Sequence, residues 1–173
     1  MATLISGSTG VNKITDGTIV NADIASGAAI AGTKLVMPTG SVIQVVSVAN
    51  GSQQSSTSGS WVAHSGLTAA ITPSSTSNKI LVSIAFSYRT ANGTNNFNAT
   101  IYRGSTNILH TTKGTGTLFS GSSYYQGHQT IQFLDSPSTT SATTYQLYYA
   151  GSTTTTINTD SGIGTVTLQE IAG

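Results

Sequence analysis

The stretch KILVSIAFSY, residues 79–88, decides the fold class. Ile80, Val82, Ile84, Phe86 and Tyr88 alternate with Leu81, Ser83, Ala85 and Ser87, the period of two that a β-strand shows when one face is buried. The spacing predicts a strand that crosses the core. Shortly after it comes Asn92-Gly93, a pair at ease with positive φ and suited to a tight hairpin turn, and residues 96–103 (NFNATIYR) then turn Phe97, Ala99 and Ile101 inward. These two strands are expected to pair antiparallel.

Working outward, similar short runs appear at 41–49 (SVIQVVSVA), 61–64 (WVAH), 67–72 (LTAAIT), 107–112 (NILHTT), 128–134 (HQTIQFL), 144–150 (TYQLYYA), 154–158 (TTTIN) and 165–171 (TVTLQEI), separated by Ser, Thr, Gly, Asn and Pro clusters. No part of this region carries apolar residues at helical spacing over three turns, and β-branched residues dominate it. The expected class is all-β, an antiparallel β-sandwich that is either a jelly roll or a related arrangement, which the strand pattern does not separate. Tyr145, Leu147 and Tyr149 alternate with Gln146 and Tyr148, so both faces of that strand carry aromatics, which suggests burial between the core and a neighbouring subunit.

The 173 residues suffice for one domain and a tail. Charged residues make up only 6% of the chain, against about 25% in an average soluble domain. In their place stand 30 Thr and 25 Ser. The net charge is +1, and six basic residues are scattered singly, which gives no patch able to replace the counterions of a nucleic-acid backbone or to hold an anionic membrane. Sparse charge also gives weak protection against association, as suits a component of an assembly. There is no Cys, hence no disulfide, thiolate or cysteine metal site. The opening MATLISGSTG lacks the basic and apolar regions of a secretion signal, and no run approaches the roughly 18 apolar residues of a membrane span.

Before the Met37-Pro38-Thr39-Gly40 boundary the rhythm is different. In GVNKITDGTIVNADIASGAAIAGTKL, residues 10–35, Ile14, Ile19, Ile24, Ile30 and Leu35 recur about every five residues, a period of neither a helix nor a lone strand. One reading is a few corners of a β-coil, with one apolar side chain turned inward at each; the other is a disordered tail rich in small residues. A single coil cannot bury its own apolar face, so the first reading requires a partner. Residues 1–36 are accordingly expected to be an extended N-terminal arm for oligomer or virion attachment, and 37–173 the β-sandwich.

The run 10–35 resembles the short repeats of bacteriophage tail fibres and related virion proteins, with their "DGTI", "NADIA" and "GTKL" style units. The body is similar, in order, to a virion structural domain common in phages of aquatic bacteria, cyanophages among them, through PTGSVIQVVS, GLTAAITPSSTSNKILV, TIYRGSTNI, FLDSPSTTSATTYQLYY and TVTLQEIAG. The resemblance implies a trimeric, jelly-roll-like domain on the virion exterior, made in the host cytoplasm and attached by its arm. It does not separate head from tail.

Motifs for chemistry are scarce. Asp16, Asp23, Asp135, Asp160 and Glu170 are not spaced to pair as general acid and base, and Asp135 reads as the backbone cap of the turn DSP. His64, His110 and His128 stand apart, without metal-ligand spacing, and read as surface histidines; three copies of one of them could meet only at a threefold axis. No GxSxG elbow or P-loop lysine is present. The expectation is a protein that is not an enzyme, with no catalytic residue, metal or cofactor. For binding, the aromatics Trp61, Tyr124 and Tyr125 are candidate contacts to a glycan or another partner, with core or inter-subunit packing the alternative for Trp61.

Two functions follow as expectations. The first is a homotrimeric capsid decoration (cement) protein whose arm, through Ile14, Ile19, Ile24, Ile30 and Leu35, binds the major capsid protein or another virion protein. The second is a tail-fibre tip that recognises host surface glycans.

Overall fold

A computed structural model describes residues 36–91, 95–109, 115–119 and 124–173. The compact body spans Met37–Gly173. Its strands are β1 (Val42–Asn50), β2 (Gln54–Ser56), β3 (Val62–Ile71), β4 (Lys79–Thr90), β5 (Asn95–Arg103), β6 (Thr106–Asn107), β7 (Thr115–Phe119), β8 (Tyr125–Asp135), β9 (Thr143–Gly151), β10 (Thr155–Ile157) and β11 (Gly164–Ile171). All the ladders are antiparallel.

The first sheet runs β1-β11-β4-β8, with β10 and β2 continuing it beside the last residues of β4. The second runs β3-β9-β5, with β6 and β7 on the far side of β5. The chain changes sheet from β1 to β3, from β3 to β4, from β4 to β5, from β7 to β8, from β8 to β9 and from β9 to β11. A six-stranded and a five-stranded sheet with these alternating crossings form a jelly-roll-like sandwich.

Strand β4 is the spine, and the alternation read from its sequence is the alternation observed. Ile80, Val82, Ile84 and Phe86 are buried, facing Phe97, Ile101, Tyr145, Leu147 and Tyr149 of the other sheet. Burying each such aliphatic or aromatic side chain contributes about 1.5–3 kcal/mol before ordering costs.

The expected β4–β5 hairpin is not formed. β4 pairs with β8, β11 and β10, whereas β5 pairs with β9, β7 and β6. Tyr88 and Phe97 instead stack across the sandwich, with centroids 4.3 Å apart and planes within 4°. An Asn-Gly pair favours a tight turn locally, but two strands that are each apolar on one face gain more by facing each other across a core. Asn92 and Gly93 themselves lie outside the described residues, as does the 110–112 part of the 107–112 run.

The runs at 61–64 and 67–72 also resolve differently, into the single strand β3, whose register with β9 shifts between Ala63 and Thr68. There the imidazole Nδ1 of His64 accepts the amide hydrogens of Gly66 (3.2 Å) and Leu67 (3.1 Å). Gln54 bridges the same irregularity, donating to the Ala63 carbonyl at 2.8 Å and accepting from the Ser65 amide at 2.9 Å. Side chains thus satisfy the backbone groups that the ladder leaves out. His64 is therefore a buried structural residue, not the surface histidine expected. Burial pushes its pKa down, and the two accepted bonds put the proton of the neutral ring on Nε2.

Candidate functional site

The two ends of the first sheet differ in chemistry. Residues 40 and 41 bond the backbone of Ala172 (Gly40 N to Ala172 O, 2.8 Å; Ala172 N to Ser41 O, 2.9 Å), beside Lys79 at the start of β4. The chain therefore enters the body at the Lys79 end. The Thr90 end lies 11 residues further along β4, roughly 36 Å away at about 3.3 Å per residue.

At the entry end the outward face carries a group of apolar side chains, with Lys79 opposite Ile171 at its edge. Val45, Gln169, Leu81 and Leu134 form one rung across β1, β11, β4 and β8, and Val42 and Ile171 flank it. Val45 is 56% exposed and Leu134 48%, and Met37 and Ile43 are exposed nearby in sequence. Beneath this face lies Glu170, fully buried and held by neutral donors: it accepts from Gln44 Nε2 (2.6 Å), the Ser74 amide (2.6 Å), Ser74 Oγ (2.8 Å) and Asn78 Nδ2 (2.6 Å). Burial alone would raise its pKa, but the donors from Asn78, Gln44 and Ser74 outweigh burial and hold it below the ordinary value. The carboxylate fastens β1 and the β3–β4 loop to β11.

A second buried acid stands at the end of β8. Asp135 accepts two bonds from Arg103 Nη1, both at 2.9 Å, and one from the Tyr145 hydroxyl at 2.7 Å. The turn-cap reading of Asp135 is thereby corrected, since its carboxylate joins the two sheets. Burial, followed by the bond to Asp135, drives the Tyr145 phenol far above its usual pKa.

At the Thr90 end the outward face carries a polar cleft of about 250 Å³, lined by Ser87, Gln126, Gly127, His128, Thr159, Asp160 and Gly162. Its floor is β4 and β8, where Ser87 lies opposite His128 and Arg89 opposite Gln126. Its wall is a 3-10 turn at Thr159–Ser161 whose residues Asn158, Asp160 and Ser161 have φ of 55°, 54° and 61°. Three non-glycine residues in the left-handed region cost on the order of 1 kcal/mol or more each, so surrounding bonds must hold them. Asn158 donates from its backbone to the Ser87 carbonyl (2.9 Å) and from Nδ2 to the Asn50 carbonyl (2.9 Å), and Ser87 Oγ donates to the Thr159 carbonyl (3.3 Å). Gly162 closes the turn through its amide to the Thr159 carbonyl at 2.9 Å. A side chain at Gly162 would collide with Ser87 Oγ.

Of the sequence-predicted residues, Tyr124 and Tyr125 stand beside this cleft. Tyr124 is 66% exposed, and the Arg89 guanidinium lies 5.5 Å from its ring centroid. Arg89 in turn meets Asp160 at 3.7 Å, a pair exposed enough to be worth about 1 kcal/mol or less. Trp61 stands half-buried just ahead of β3, on the other sheet. Ile14, Ile19, Ile24, Ile30 and Leu35 lie outside the described residues. Sequence reasoning missed the wall, because Thr159, Asp160 and Ser161 carry no motif; the signal present was the polar interruption of two strand patterns by NTDSG at 158–162. Tyr148 stacks on Tyr102 at 3.7 Å between centroids, giving the second aromatic face of β9 a partner within the chain. Among the described residues, no group of three or more His, Asp or Glu is placed to hold a metal ion.

No protein-family model matches the chain, and no curated protein matches its sequence. Among solved structures it is similar to the D431N mutant VP2 protein of infectious bursal disease virus in derived T=1 particles, with 15% identity, a TM-score of 0.42 and coverage of 84% of this chain and 41% of that one. It is similar as well to a chain in the structure of the infectious bursal disease virus Gx strain, with 13% identity, a TM-score of 0.42 and coverage of 84% and 42%. The chain thus spans about two fifths of the length of these proteins.

Proposed function

We propose that the protein is a non-enzymatic structural component of a phage virion, a capsid decoration protein that assembles as a trimer on the virion exterior and is attached through residues 1–36. The observation that carries this reading is the polarity of the body: the chain enters at the end where Val42, Val45, Leu81, Leu134 and Ile171 offer apolar surface beside one cation, Lys79, and the polar end lies a strand's length away. An apolar face at the point of attachment favours burial there against sister subunits or the major capsid protein. The scarcity of charge supports the same reading, because only 11 ionic side chains, six basic and five acidic, oppose close packing of copies. The fibre-like repeats of residues 10–35 support a virion as the receiving surface. The polar end favours a second reading, a tail-fibre tip.

The test is deletion of residues 1–35. The truncated protein is expected to fold and to lose its association with purified heads, and truncated protein that decorates heads at wild-type occupancy would refute the arm's role. Immunogold labelling of intact virions with an antibody to the body separates the two readings: gold over the head supports decoration, and gold confined to the tail supports the fibre tip.

A further inference from the structure

We infer that the cleft at the Thr90 end is a binding site for one ring of a neutral saccharide. The inference goes beyond the structural role and holds whether the arm sits on head or tail. Its shape comes first: at about 250 Å³ the cleft is smaller than the roughly 300–1,000 Å³ of sites that enclose drug-sized ligands, so it takes one ring of a longer chain and leaves the remainder in solvent.

Its chemistry then selects among ligands of that size. The lining is hydrogen-bonding and mostly neutral, with Gln126, His128 and Thr159 beside Ser87, whose hydroxyl donates to the Thr159 carbonyl, and the backbone of Gly127 and Gly162. An apolar ligand would strip water from the exposed Gln126 amide and His128 ring and leave them unpaired, a penalty of roughly 2–7 kcal/mol for each. Anions meet the Asp160 carboxylate, and cations meet Arg89, which already lies 3.7 Å from Asp160 and over the Tyr124 ring. What remains is an uncharged polyhydroxyl compound. Tyr124, two residues before the lining residue Gln126 and 66% exposed, carries the Arg89 guanidinium over its ring and offers an aromatic surface on which the C–H face of a pyranose ring extending from the cleft would pack.

Two further observations point to a ligand. The Thr159 hydroxyl is buried and has no hydrogen-bond partner among the described residues, although Thr159 lines the cleft. Buried hydroxyls are nearly always paired, and because this one exposes no surface to the cleft, a bound sugar would reach it only through a bridging water. The wall is also held in a left-handed conformation at Asn158, Asp160 and Ser161, none of them glycine. Conformational strain of this kind gathers where a site must be pre-shaped.

The experiment is saturation-transfer NMR on the full chain with methyl β-glucoside, methyl β-galactoside, methyl α-mannoside and N-acetylglucosamine as probes. Transfer to the ring protons of at least one is expected. Binding should weaken roughly tenfold in Tyr124→Ala and in Asp160→Asn. Asparagine tolerates positive φ, so the second variant removes the charge without unsettling the turn. Thr159→Val, compared by circular dichroism and melting, serves as a third variant that keeps the shape and removes the hydroxyl. No transfer to any of the four probes would overturn the inference. So would transfer unchanged in all three variants, because it would put the sugar elsewhere.

Discussion

Replacing Glu170 by Gln tests whether the buried carboxylate at the entry end acts through its charge. In the native chain Oε1 accepts from the Ser74 amide, Ser74 Oγ and Asn78 Nδ2, and Oε2 accepts from Gln44 Nε2. A glutamine can keep its amide oxygen on the Ser74 and Asn78 side, but its NH₂ group then faces the NH₂ of Gln44, donor against donor. Turning the Gln44 amide over relieves that conflict and sets its oxygen against the Thr72 carbonyl, to which it now donates at 2.8 Å. One hydrogen bond to a charged acceptor is lost in either arrangement, and such a bond is worth about 1.5–3 kcal/mol. The expected loss of unfolding free energy is therefore about 2–3 kcal/mol at pH 7, read from the midpoint of a urea titration. The pH dependence gives the mechanism. Because the native pKa is held below the ordinary value of 4.5, the stabilisation is complete above that value, where both states are ionised. Below it the unfolded chain takes up the proton first, and the stabilisation drains away as pH falls through the native pKa. The gap between wild type and Glu170→Gln should consequently shrink in acid. A gap that keeps its full size at pH 2.5 would refute the reasoning and assign the loss to shape alone.

Arg103→Met leaves Asp135 buried with the Tyr145 hydroxyl alone; removing one partner of a buried pair costs about 3–5 kcal/mol, and the partial exposure of Arg103 brings the expected loss to about 2–3 kcal/mol by chemical denaturation. Phe97→Ala removes the ring stacked on Tyr88 and set edge-on to Phe86 at 6.1 Å, and should cost about 3–5 kcal/mol with an unchanged far-ultraviolet spectrum. Val45→Glu puts a charge on the exposed apolar rung. It should change unfolding free energy by no more than about 0.5 kcal/mol, yet weaken self-association in sedimentation velocity; unchanged association would remove this face from the assembly.

The strand pattern of β4 was legible because large apolar side chains fill one face without a break while small or polar ones interrupt the other after Leu81, so period two is written directly into residues 80–88. The same logic found β1, β8, β9 and β11. Pairing was less legible, since an alternating strand specifies which side chains face the core and says nothing of which strand lies beside it. Asn92-Gly93 therefore suggested a hairpin where the chain crosses to the other sheet. The single strand β3 looked like two because His64, Ser65 and Gly66 break its pattern, and the compensating bonds come from the His64 ring itself and from Gln54, nine residues before Ala63 and eleven before Ser65. Asp135 and Glu170 were hidden for a related reason. A carboxylate's partners at Arg103, Tyr145, Gln44 and Asn78 are brought to it by topology, which spacing along the chain does not record.

The few charges of this chain are placed with economy. Of the three side-chain carboxylates among the described residues, those of Asp135 and Glu170 are buried, and each joins separate parts of the fold, Asp135 bridging the two sheets and Glu170 tying β1 and the β3–β4 loop to β11. Asp160 lies at the exposed far end, paired with Arg89. Outward rungs between the ends are built from neutral residues: Gln132, Ser83, Thr167 and Ser47 across one, Thr130, Ala85, Thr165 and Ala49 across the next. Such rungs neither repel a second copy nor bind it strongly, for hydroxyls exchange water for protein partners at little net gain. On the function and the saccharide site proposed above, specific contact would fall to the two ends, the rung where the chain enters and the cleft opposite. An attached body would need that division, because a surface that adhered along its whole length would bury the recognition end together with the anchor.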